Sequence, residues 1–421
     1  MNKLEVKFLG GAREVGRSAI VVSYKDTRVL LDYGVMLNDH PEFPGHVEPR
    51  KIDAVLLTHA HLDHSGSIPM LYISGRKPRL YATRMTKDTA DILLSDFIKL
   101  SGYYLPFGHE EMREALNRCT EIYYREPFTV KDLEIEFIDA GHIPGSAQIL
   151  VKGDKTIAYT GDFTTIRSKM LDGADTSLGD VDALIIESTY ALEEHPERTE
   201  LERSFVEACK EVVENGGNVL VPAFSVGRAQ EVLCILHAYG FKQPVWLDGM
   251  ARKTLEKYLE DNRFIDNYHL LKKASKRIRI VTGKRGRRAA LSEPGVIITP
   301  AGMLKGGPAL FYANKIIEDP SSAIFLVSFQ LPGTPGAQLL EERKLQVNGE
   351  EKTAKCRVEQ FRFSGHAGKR QLHEYIRNLE TARRIFAIHG EEQACQELAT
   401  WTERETGAEA TAPTPQQAFT I

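Results

Sequence analysis

The chain has 421 residues, of which 42% are hydrophobic and 27% are charged, and its formal net charge is −4. This length and composition predict a soluble globular protein of two or three domains, and they exclude a fibrous or largely disordered chain. No apolar run approaches the roughly 20 residues that a membrane-spanning helix needs, and the net charge excludes a polycation, so nucleic-acid binding would require a local basic surface.

The first half of the chain predicts short strands separated by turns. Its N-terminus enters a strand-like pattern without an apolar signal core, and the five cysteines are scattered; both features predict a cytoplasmic protein with reduced thiols. Residues 86–100 have the apolar spacing of a helix. The predicted strands, several of which end at Gly or Asp, are 6–9, 19–23, 29–31, 55–57, 133–138, 149–151 and 183–186.

From about Thr199 the pattern changes to an alternation of helices and buried strands, which predicts a parallel sheet in an α/β unit. Near Phe361 polar loop sequence returns, and a helix, a strand and a last helix follow. Because histidine-bearing segments flank this block on both sides, we expect one domain inserted into another, with a first part at 1–190, an insertion at 191–362 and a final part at 363–421. Residues 410–417 are predicted to form a loose tail.

The segment "LLTHAHLDHSG" at 56–66 carries three histidines and an aspartate directly after an apolar run: His59, His61, Asp63 and His64. On an extended turn His59 and His61 can point to the same side and bind one ion, and Asp63 and His64 then face a second ion. Imidazole and carboxylate ligands without thiolates favour Zn²⁺, with Mn²⁺ or Fe as the alternatives. The plainer interpretation is a polar loop with a capping Asp and incidental histidines.

Four further polar residues stand where a predicted buried strand gives way to a turn: Asp32, His142, Asp162 and His389. One such residue alone is more often a cap or a satisfied polar group. Several at corresponding places indicate a binuclear metal site, in which Asp162 could bridge two ions that share a hydroxide.

These segments together resemble the motifs of the metallo-β-lactamase fold. "IIESTY" with Glu187, "FSGHAG" with His366 and "IHGE" with His389 resemble motifs A, B and C of the β-CASP nucleases. "VPAFSVGRAQEVL", "PGVIITPAGMLKGGP" and "SFQLPGTPGAQLL" are similar to the inserted β-CASP domain, and "GGAREVGRSAI" matches near the N-terminus. The resemblance points most closely to the branch containing the endonuclease subunit of the cleavage and polyadenylation specificity factor and its archaeal relatives, with RNase J as the next branch.

The resemblance implies a fold, a cofactor and residue roles. The fold is an α/β metallo-β-lactamase αββα sandwich with an inserted α/β β-CASP domain, and the cofactor is a pair of Zn²⁺ ions. His59, His61 and His142 would hold one zinc, Asp63, His64 and His389 the other, and Asp162 would bridge them. The residues implied in catalysis are His366 as proton donor, Glu187 as its partner, Asp63, and Asp32, which would fix the tautomer of a ligand histidine.

The sequence departs from the family pattern at Gly368. The family often has Ser-Ala-His-Ala-Asp where this chain has Ser-Gly-His-Ala-Gly at 364–368. The missing carboxylate is expected to cost a helix cap or a hydrogen bond near His366. The metal ligands are unaffected by this difference.

The activity implied is hydrolysis of RNA phosphodiester bonds, which leaves 5′-phosphate and 3′-hydroxyl ends. In this group the ribonucleases tend to carry His at motif C, as at His389, whereas the DNA-repair members carry Val. A basic run at 272–288 is either a solvated charged face or a nucleic-acid contact. The residues expected to contact RNA are Arg228, Ser364, Lys284 and Arg285, whereas core or lid packing is the favoured interpretation of Tyr103, Tyr104 and Phe107.

The expected partners are single-stranded RNA and, from the resemblance, a second copy of the chain and an RNA-processing complex; no membrane is expected. Endonuclease and 5′-to-3′ exonuclease action both occur in the group, and no spacing in the sequence separates them. Two other functions stay open: a small-molecule hydrolase of thioesters or lactams, and a catalytically silent RNA-binding subunit. Because silent subunits typically lack metal ligands, the seven expected ligands favour an enzyme.

Overall fold

The structure is a computed structural model that describes residues 3–347 and 349–421. The predicted strands of the first half are present, with ends within one or two residues of the prediction. The 3₁₀ turns of this part are Pro49–Lys51, Ile68–Tyr72 and Gly102–Tyr104. Its strands and helices are β1 (Glu5–Gly10), β2 (Ala19–Tyr24), β3 (Thr27–Leu31), β4 (Met36–Leu37), β5 (Pro41–Glu42), β6 (Ala54–Leu56), α1 (Leu62–Ser65), β7 (Arg79–Thr83), α2 (Arg84–Ser101), α3 (His109–Asn117), β8 (Cys119–Ile122), β9 (Phe128–Val130), β10 (Leu133–Asp139), β11 (Ala147–Lys152), β12 (Thr156–Tyr159) and β13 (Ala183–Glu187).

The middle of the chain alternates helices and strands, as predicted. Its elements are α4 (Arg198–Glu214), β14 (Asn218–Pro222), α5 (Arg228–Ala238), β15 (Val245–Leu247), α6 (Ala251–Glu260), α7 (Tyr268–Ser275), β16 (Arg279–Ile280), α8 (Gly283–Ala290), β17 (Gly295–Thr299), α9 (Gly307–Ile316), β18 (Ala323–Leu326), α10 (Pro335–Glu342), β19 (Lys344–Val347), β20 (Glu350–Thr353) and β21 (Arg357–Gln360). Its main sheet has the order β16-β15-β17-β14-β18-β21, and every pairing in it is parallel.

The last part of the chain contains α11 (Lys369–Asn378), β22 (Arg384–Ile388), α12 (Glu392–Thr406), β23 (Glu409–Thr411) and β24 (Ala418–Thr420). The chain divides into two compact units. The first consists of residues 1–167, 172–194 and 365–421, and the second of 168–171 and 195–364. None of the helices that the structure describes is long and apolar enough to cross a membrane.

The first unit is a sandwich of two sheets. Their strand orders are β24-β1-β2-β3-β6-β7-β8 and β23-β22-β13-β12-β11-β10-β9. Apolar side chains of both sheets, such as Phe8 and Phe137, form one buried layer between them. The outer face of one sheet packs against α2 and α3 through residues such as Phe97, and that of the other against α11 and α12 through residues such as Tyr375. This is the αββα arrangement that the resemblance implied.

Strand direction brings the polar strand ends of the first unit together. In one sheet β3 runs parallel to β6, and in the other β12, β13 and β22 run parallel. Parallel strands present their carboxyl ends at the same sheet edge, which is where open α/β sheets place ligands. Asp32, the segment from His59, Asp162 and His389 all follow such ends.

The loose tail predicted for residues 410–417 is wrong. Ala410 and Thr411 extend β23, which pairs with β22. Beyond them, the Gln416 N–H donates to Phe8 O at 2.7 Å, and β24 then pairs with β1. Core or lid packing was the favoured interpretation of three aromatic residues. It is right for Phe107, which is buried, and wrong for Tyr103 and Tyr104, which are exposed.

Candidate metal centre

The loop after β6 is shaped by close backbone contacts. β6 ends at Leu56 and His61 is the N-terminal flanking residue of α1, so the turn of α1 carries Asp63 and His64. A Cβ at Gly34 would lie 1.7 Å from Asp63 O, so only glycine allows this approach. The Val35 N–H donates to Leu62 O at 2.8 Å and fixes the loop from the same side.

The segment 10–20, a match in the family resemblance, holds two candidate ligands through its backbone. Gly11 O accepts the His389 N–H at 2.7 Å, and the Ser18 N–H donates to Asp63 O at 2.8 Å. His389 itself has a left-handed backbone, with φ of 48°. For a non-glycine residue this conformation carries strain, and such strain concentrates at functional sites.

A first cluster joins three histidines to one oxygen of Asp162. His61 Nδ1 lies 3.2 Å from His59 Nε2 and 3.2 Å from His142 Nε2. Asp162 Oδ2 lies 3.4 Å from His59 Nε2 and 3.8 Å from His142 Nε2. In a tetrahedral zinc site with bonds of about 2.1 Å, ligand atoms lie roughly 3.4 Å apart. The spacing of this cluster therefore suits one such ion.

A second cluster uses the other oxygen of Asp162. Asp162 Oδ1 lies 3.1 Å from His64 Nε2 and 3.5 Å from His389 Nδ1. Asp63 Oδ2 lies 3.4 Å from His389 Nε2 and 4.0 Å from His64 Nε2. One carboxylate thus faces two groups of nitrogen and oxygen ligands, one with each oxygen, as a bridging ligand of a two-metal centre does.

The chemistry of the donor set fits divalent cations. His64 Nε2, Asp162 Oδ1 and His389 Nε2 are buried and have no hydrogen-bond partner among the described residues. Burying a polar atom without a partner is costly, and a metal ion removes that cost because these atoms become its ligands. Within each cluster the donor atoms all lie within 4.8 Å of one another.

Asp32 supports the second cluster from behind. Its carboxylate is buried, lies 2.7 Å from His64 Nδ1, and accepts the N–H and the hydroxyl of Thr58 and the hydroxyl of Tyr159 at 2.8–2.9 Å. With the ring proton on Nδ1, His64 Nε2 is left for a metal. The His142 ring is oriented in a similar way by Gly365 O, 2.7 Å from Nδ1.

His366 and Glu187 form a pair beside the first cluster. His366 Nδ1 lies 2.9 and 3.1 Å from the two oxygens of Glu187, and 4.0 Å from Asp162 Oδ2. Glu187 is buried and its Oε1 also accepts the Phe163 N–H at 2.9 Å. A buried carboxylate held in this way fixes the orientation of the imidazole ring next to the metal ligands.

Three family models match the chain in succession. A Beta-lactamase superfamily domain matches residues 27–215, a Beta-Casp domain matches 229–339, and a Zn-dependent metallo-hydrolase RNA specificity domain matches 353–413. The chain is 41% identical over 413 residues to "RNase aCSPSF2" of Saccharolobus solfataricus, which covers 97% of this chain and 83% of that protein. The chain belongs to the β-CASP family of metallo-β-lactamase ribonucleases.

Two further relatives show the range of this family. "Probable RNase MJ4" of Methanocaldococcus jannaschii is 36% identical, and the match covers 94% of this chain and 96% of that protein. "Transcription termination factor FttA" of Pyrococcus horikoshii is 34% identical, with 97% of this chain and 70% of that protein covered. This β-CASP chain is therefore a metal-dependent ribonuclease by family, and its His/Asp clusters are suited to divalent ions.

The candidate ligand histidines of the β-CASP site fall into two groups, because burial and charge shift their pKa values in different directions. Burial lowers the pKa of His59 and His142, and it lowers the pKa of His61 to about 3, so these rings are neutral and ready to ligate at neutral pH. Burial also acts on His64 and His389, but there it is outweighed by Asp162 together with a second carboxylate, Asp32 for His64 and Asp63 for His389, and the pKa is raised. A cation in the second cluster would replace the protons that this negative charge attracts.

The segment that carries His366 is supported without the family's usual aspartate. Gly368 precedes α11, and its N–H donates to Gln371 Oε1 at 2.7 Å. The Ala367 N–H donates to Phe163 O at 2.7 Å, and Gly368 forms a bridge with Tyr190. Glycine cannot supply the side-chain acceptor that the family's aspartate would provide at position 368. Gln371 supplies half of a capping box in its place.

The predicted RNA contacts lie in the second unit. Arg228 begins α5 after Gly227 and is half-buried, as is Ser364. Lys284 and Arg285 are exposed on α8. The positions of these residues do not test RNA binding, so all four contacts stay predictions.

Sequence reasoning did not identify Thr58 or Tyr159 as partners of Asp32. Thr58 lies inside the "THAHLDH" motif, which is the one signal in the sequence that could have identified it.

We expect Asp32→Asn to weaken metal binding by about 10–100-fold, the usual effect of losing an outer partner of a ligand histidine. Asparagine keeps the shape and tolerates the left-handed backbone of Asp32, whose φ is 56°. The amide, however, cannot accept hydrogen bonds with both of its heavy atoms. Competition with a fluorescent zinc chelator would measure the affinity. An unchanged affinity would contradict the role of Asp32 in orienting His64.

Proposed function

We propose that this protein hydrolyses phosphodiester bonds of single-stranded RNA at the two clusters joined by Asp162, leaving 5′-phosphate and 3′-hydroxyl ends. The observation that carries the proposal is the position of Asp162, which directs one carboxylate oxygen to each cluster. Support for RNA as substrate comes from relatives named as ribonucleases and from the RNA specificity domain matched at 353–413. The preferred ions are two Zn²⁺, with Mn²⁺ as the alternative.

Two divalent ions at such a centre supply a nucleophile derived from water at neutral pH and stabilise negative charge on the phosphate. His59, His61 and His142 would hold one ion, Asp63, His64 and His389 the other, with Asp162 shared. The N/O ligand set is complete for both positions, which favours an enzyme over a silent subunit.

His366 is the proton donor of the proposal. In-line attack on phosphorus breaks the bond to the 3′-oxygen, which leaves as a basic alkoxide and gains from protonation. The Glu187 and Asp162 carboxylates outweigh burial and raise the pKa of His366 to about 9, so the ring carries a proton at neutral pH. A thioester hydrolase does not need this pair, because the thiolate that it expels is less basic than an alkoxide.

The proposal is tested by incubating the purified metal-loaded protein with RNAs that carry a 5′-triphosphate or a 5′-monophosphate, and with a circular RNA. We expect products with 5′-phosphate ends, which a ligase that requires this end would detect. Cleavage of the circle identifies an endonuclease, whereas degradation of the 5′-monophosphate RNA alone identifies a 5′-to-3′ exonuclease.

The matched control is His61→Ala, which removes the nitrogen central to the first cluster and should abolish cleavage while the fold survives in a thermal melt. Full activity in this variant would refute the assignment of the site. Thioester hydrolysis without RNA cleavage would instead support the small-molecule alternative. Size-exclusion chromatography with light scattering tests the homodimer, and co-purification tests the RNA-processing complex; both are proposals from the family.

A further inference from the structure

A strongly basic surface follows the edge of the parallel sheet in the second unit. Residues 272–288 contain nine lysines and arginines and no aspartate or glutamate, in a chain whose net charge is −4. They span the end of α7, the edge strand β16 and most of α8. Eight of these cations are exposed, and we call the seven other than Arg279 the basic edge: Lys272, Lys273, Lys276, Arg277, Lys284, Arg285 and Arg288.

The other two cations of the segment have structural partners. Arg287 Nε donates to the buried carboxylate of Asp248 at 2.7 Å and so anchors α8. Arg279 pairs with Glu293 and its guanidinium lies 5.1 Å from the centre of the Trp246 ring. These contacts fix the scaffold from which the basic edge projects.

The basic edge itself is not neutralised. None of its seven cations lies within 4.0 Å of a carboxylate oxygen in the part of the chain that the structure describes, whereas the neighbouring Arg279 pairs with Glu293. The positive charge extends to α5, where burial and then Arg277 and Lys273 lower the pKa of His237. Seven like charges without carboxylate partners repel one another, and a polyanion relieves that repulsion.

We propose that the basic edge binds the sugar–phosphate backbone of single-stranded RNA. All seven residues of the basic edge belong to the second unit, whereas every candidate metal ligand belongs to the first. The inference deepens the proposed function and rests on it for the choice of RNA as the polyanion.

The composition of the surface favours a nucleic acid over an acidic protein. Protein interfaces depend on apolar or aromatic anchors that become buried. Within residues 272–288 Ile280 is the one large apolar side chain that is exposed, and Trp246 beneath Arg279 is buried. Phosphate recognition needs only the cations, because each phosphate contact releases condensed counterions.

The test is the affinity of metal-loaded protein for a labelled 20-nucleotide oligouridine, measured by fluorescence anisotropy in a His366→Ala background that preserves the RNA. We expect the triple substitution Lys284→Ala, Arg285→Ala and Arg288→Ala to weaken binding at least 10-fold at 0.1 M salt. It should also lower the slope of log affinity against log salt by about 2, since each lost contact with single-stranded RNA contributes roughly 0.7.

The matched control removes three exposed cations of the first unit: Lys99→Ala, Arg113→Ala and Arg383→Ala. It changes net charge equally and should alter RNA affinity less than 2-fold. A second variant, Lys272→Ala with Lys273→Ala at the end of α7, should weaken binding in the same direction and does not depend on the folding of α8.

Equal affinity in the α8 triple variant and the control would overturn the inference. So would polyglutamate that binds as tightly as the RNA and with the same dependence on the triple substitution, because the occupant would then be an acidic polypeptide. Cleavage by the unsubstituted protein is a separate measurement. Its absence would refute the proposed function, whereas normal cleavage with an unaffected α8 variant would refute this inference alone.

Discussion

Asp162→Asn should abolish RNA cleavage, with a fall in kcat of at least about 1,000-fold, and should leave no more than one tightly bound metal ion per chain. The two carboxylate oxygens of Asp162 face different clusters, at 3.1 Å from His64 Nε2 and 3.4 Å from His59 Nε2. An amide presents one ligating oxygen and one NH₂ group and carries no charge, so one cluster loses its shared ligand and the other keeps only a neutral, weaker one. Several kcal/mol of charge stabilisation depend on the pair of ions, and each 1.36 kcal/mol is a factor of ten in rate.

The control for this variant is Asp63→Asn, which makes the same chemical change in one cluster only. Asp63 Oδ2 lies near His389 and His64 and takes no part in the first cluster. Metal content after dialysis should fall in both variants, but only Asp162→Asn should reduce the affinity of both sites. Two tightly bound ions and a normal rate in Asp162→Asn would contradict a bridging role.

The candidate metal centre could be predicted from the sequence because its residues follow strands. Strands such as β6, β12 and β22 are readable from short β-branched runs, and parallel strands bring their carboxyl ends to one edge. His59, Asp162 and His389 could therefore be expected to meet although 330 residues separate the first from the last. The resemblance to the family added the roles proposed for His366 and Glu187.

The supporting contacts could not be predicted in this way. The hydroxyl of Tyr159 reaches Asp32 from a strand 127 positions away in the other sheet, and no local pattern marks a tyrosine that will do so. The C-terminal residues 410–417 look like a tail because Pro and Gln break both periodicities, yet their backbone pairs with Phe8 at the other end of the chain. The role of Gln371 could have been predicted from the sequence, because a Gln three residues after Gly368 is half of a capping box.

His366→Ala should lower kcat for RNA by about 10²–10⁴-fold, the usual contribution of a general acid, without loss of bound metal. The ring lies 2.9 Å from Glu187 and 4.0 Å from Asp162, where it can deliver a proton to an oxygen leaving the phosphate. Glu187→Gln should give a smaller loss, because the ring stays in place but loses the carboxylate that favours its charged form.

Comparison of leaving groups separates proton donation from a structural role of His366. The ribose 3′-oxygen leaves as a strong base, whereas the nitrophenolate of bis(4-nitrophenyl) phosphate is stable without a proton. If His366 donates a proton, His366→Ala should slow RNA cleavage severely and hydrolysis of the nitrophenyl ester by less than about 10-fold. His109→Ala, which removes an exposed histidine at the start of α3, should affect neither substrate. Equal losses on both substrates would show instead that His366 positions the phosphate or the metal ligands, because a missing proton donor harms only the basic leaving group.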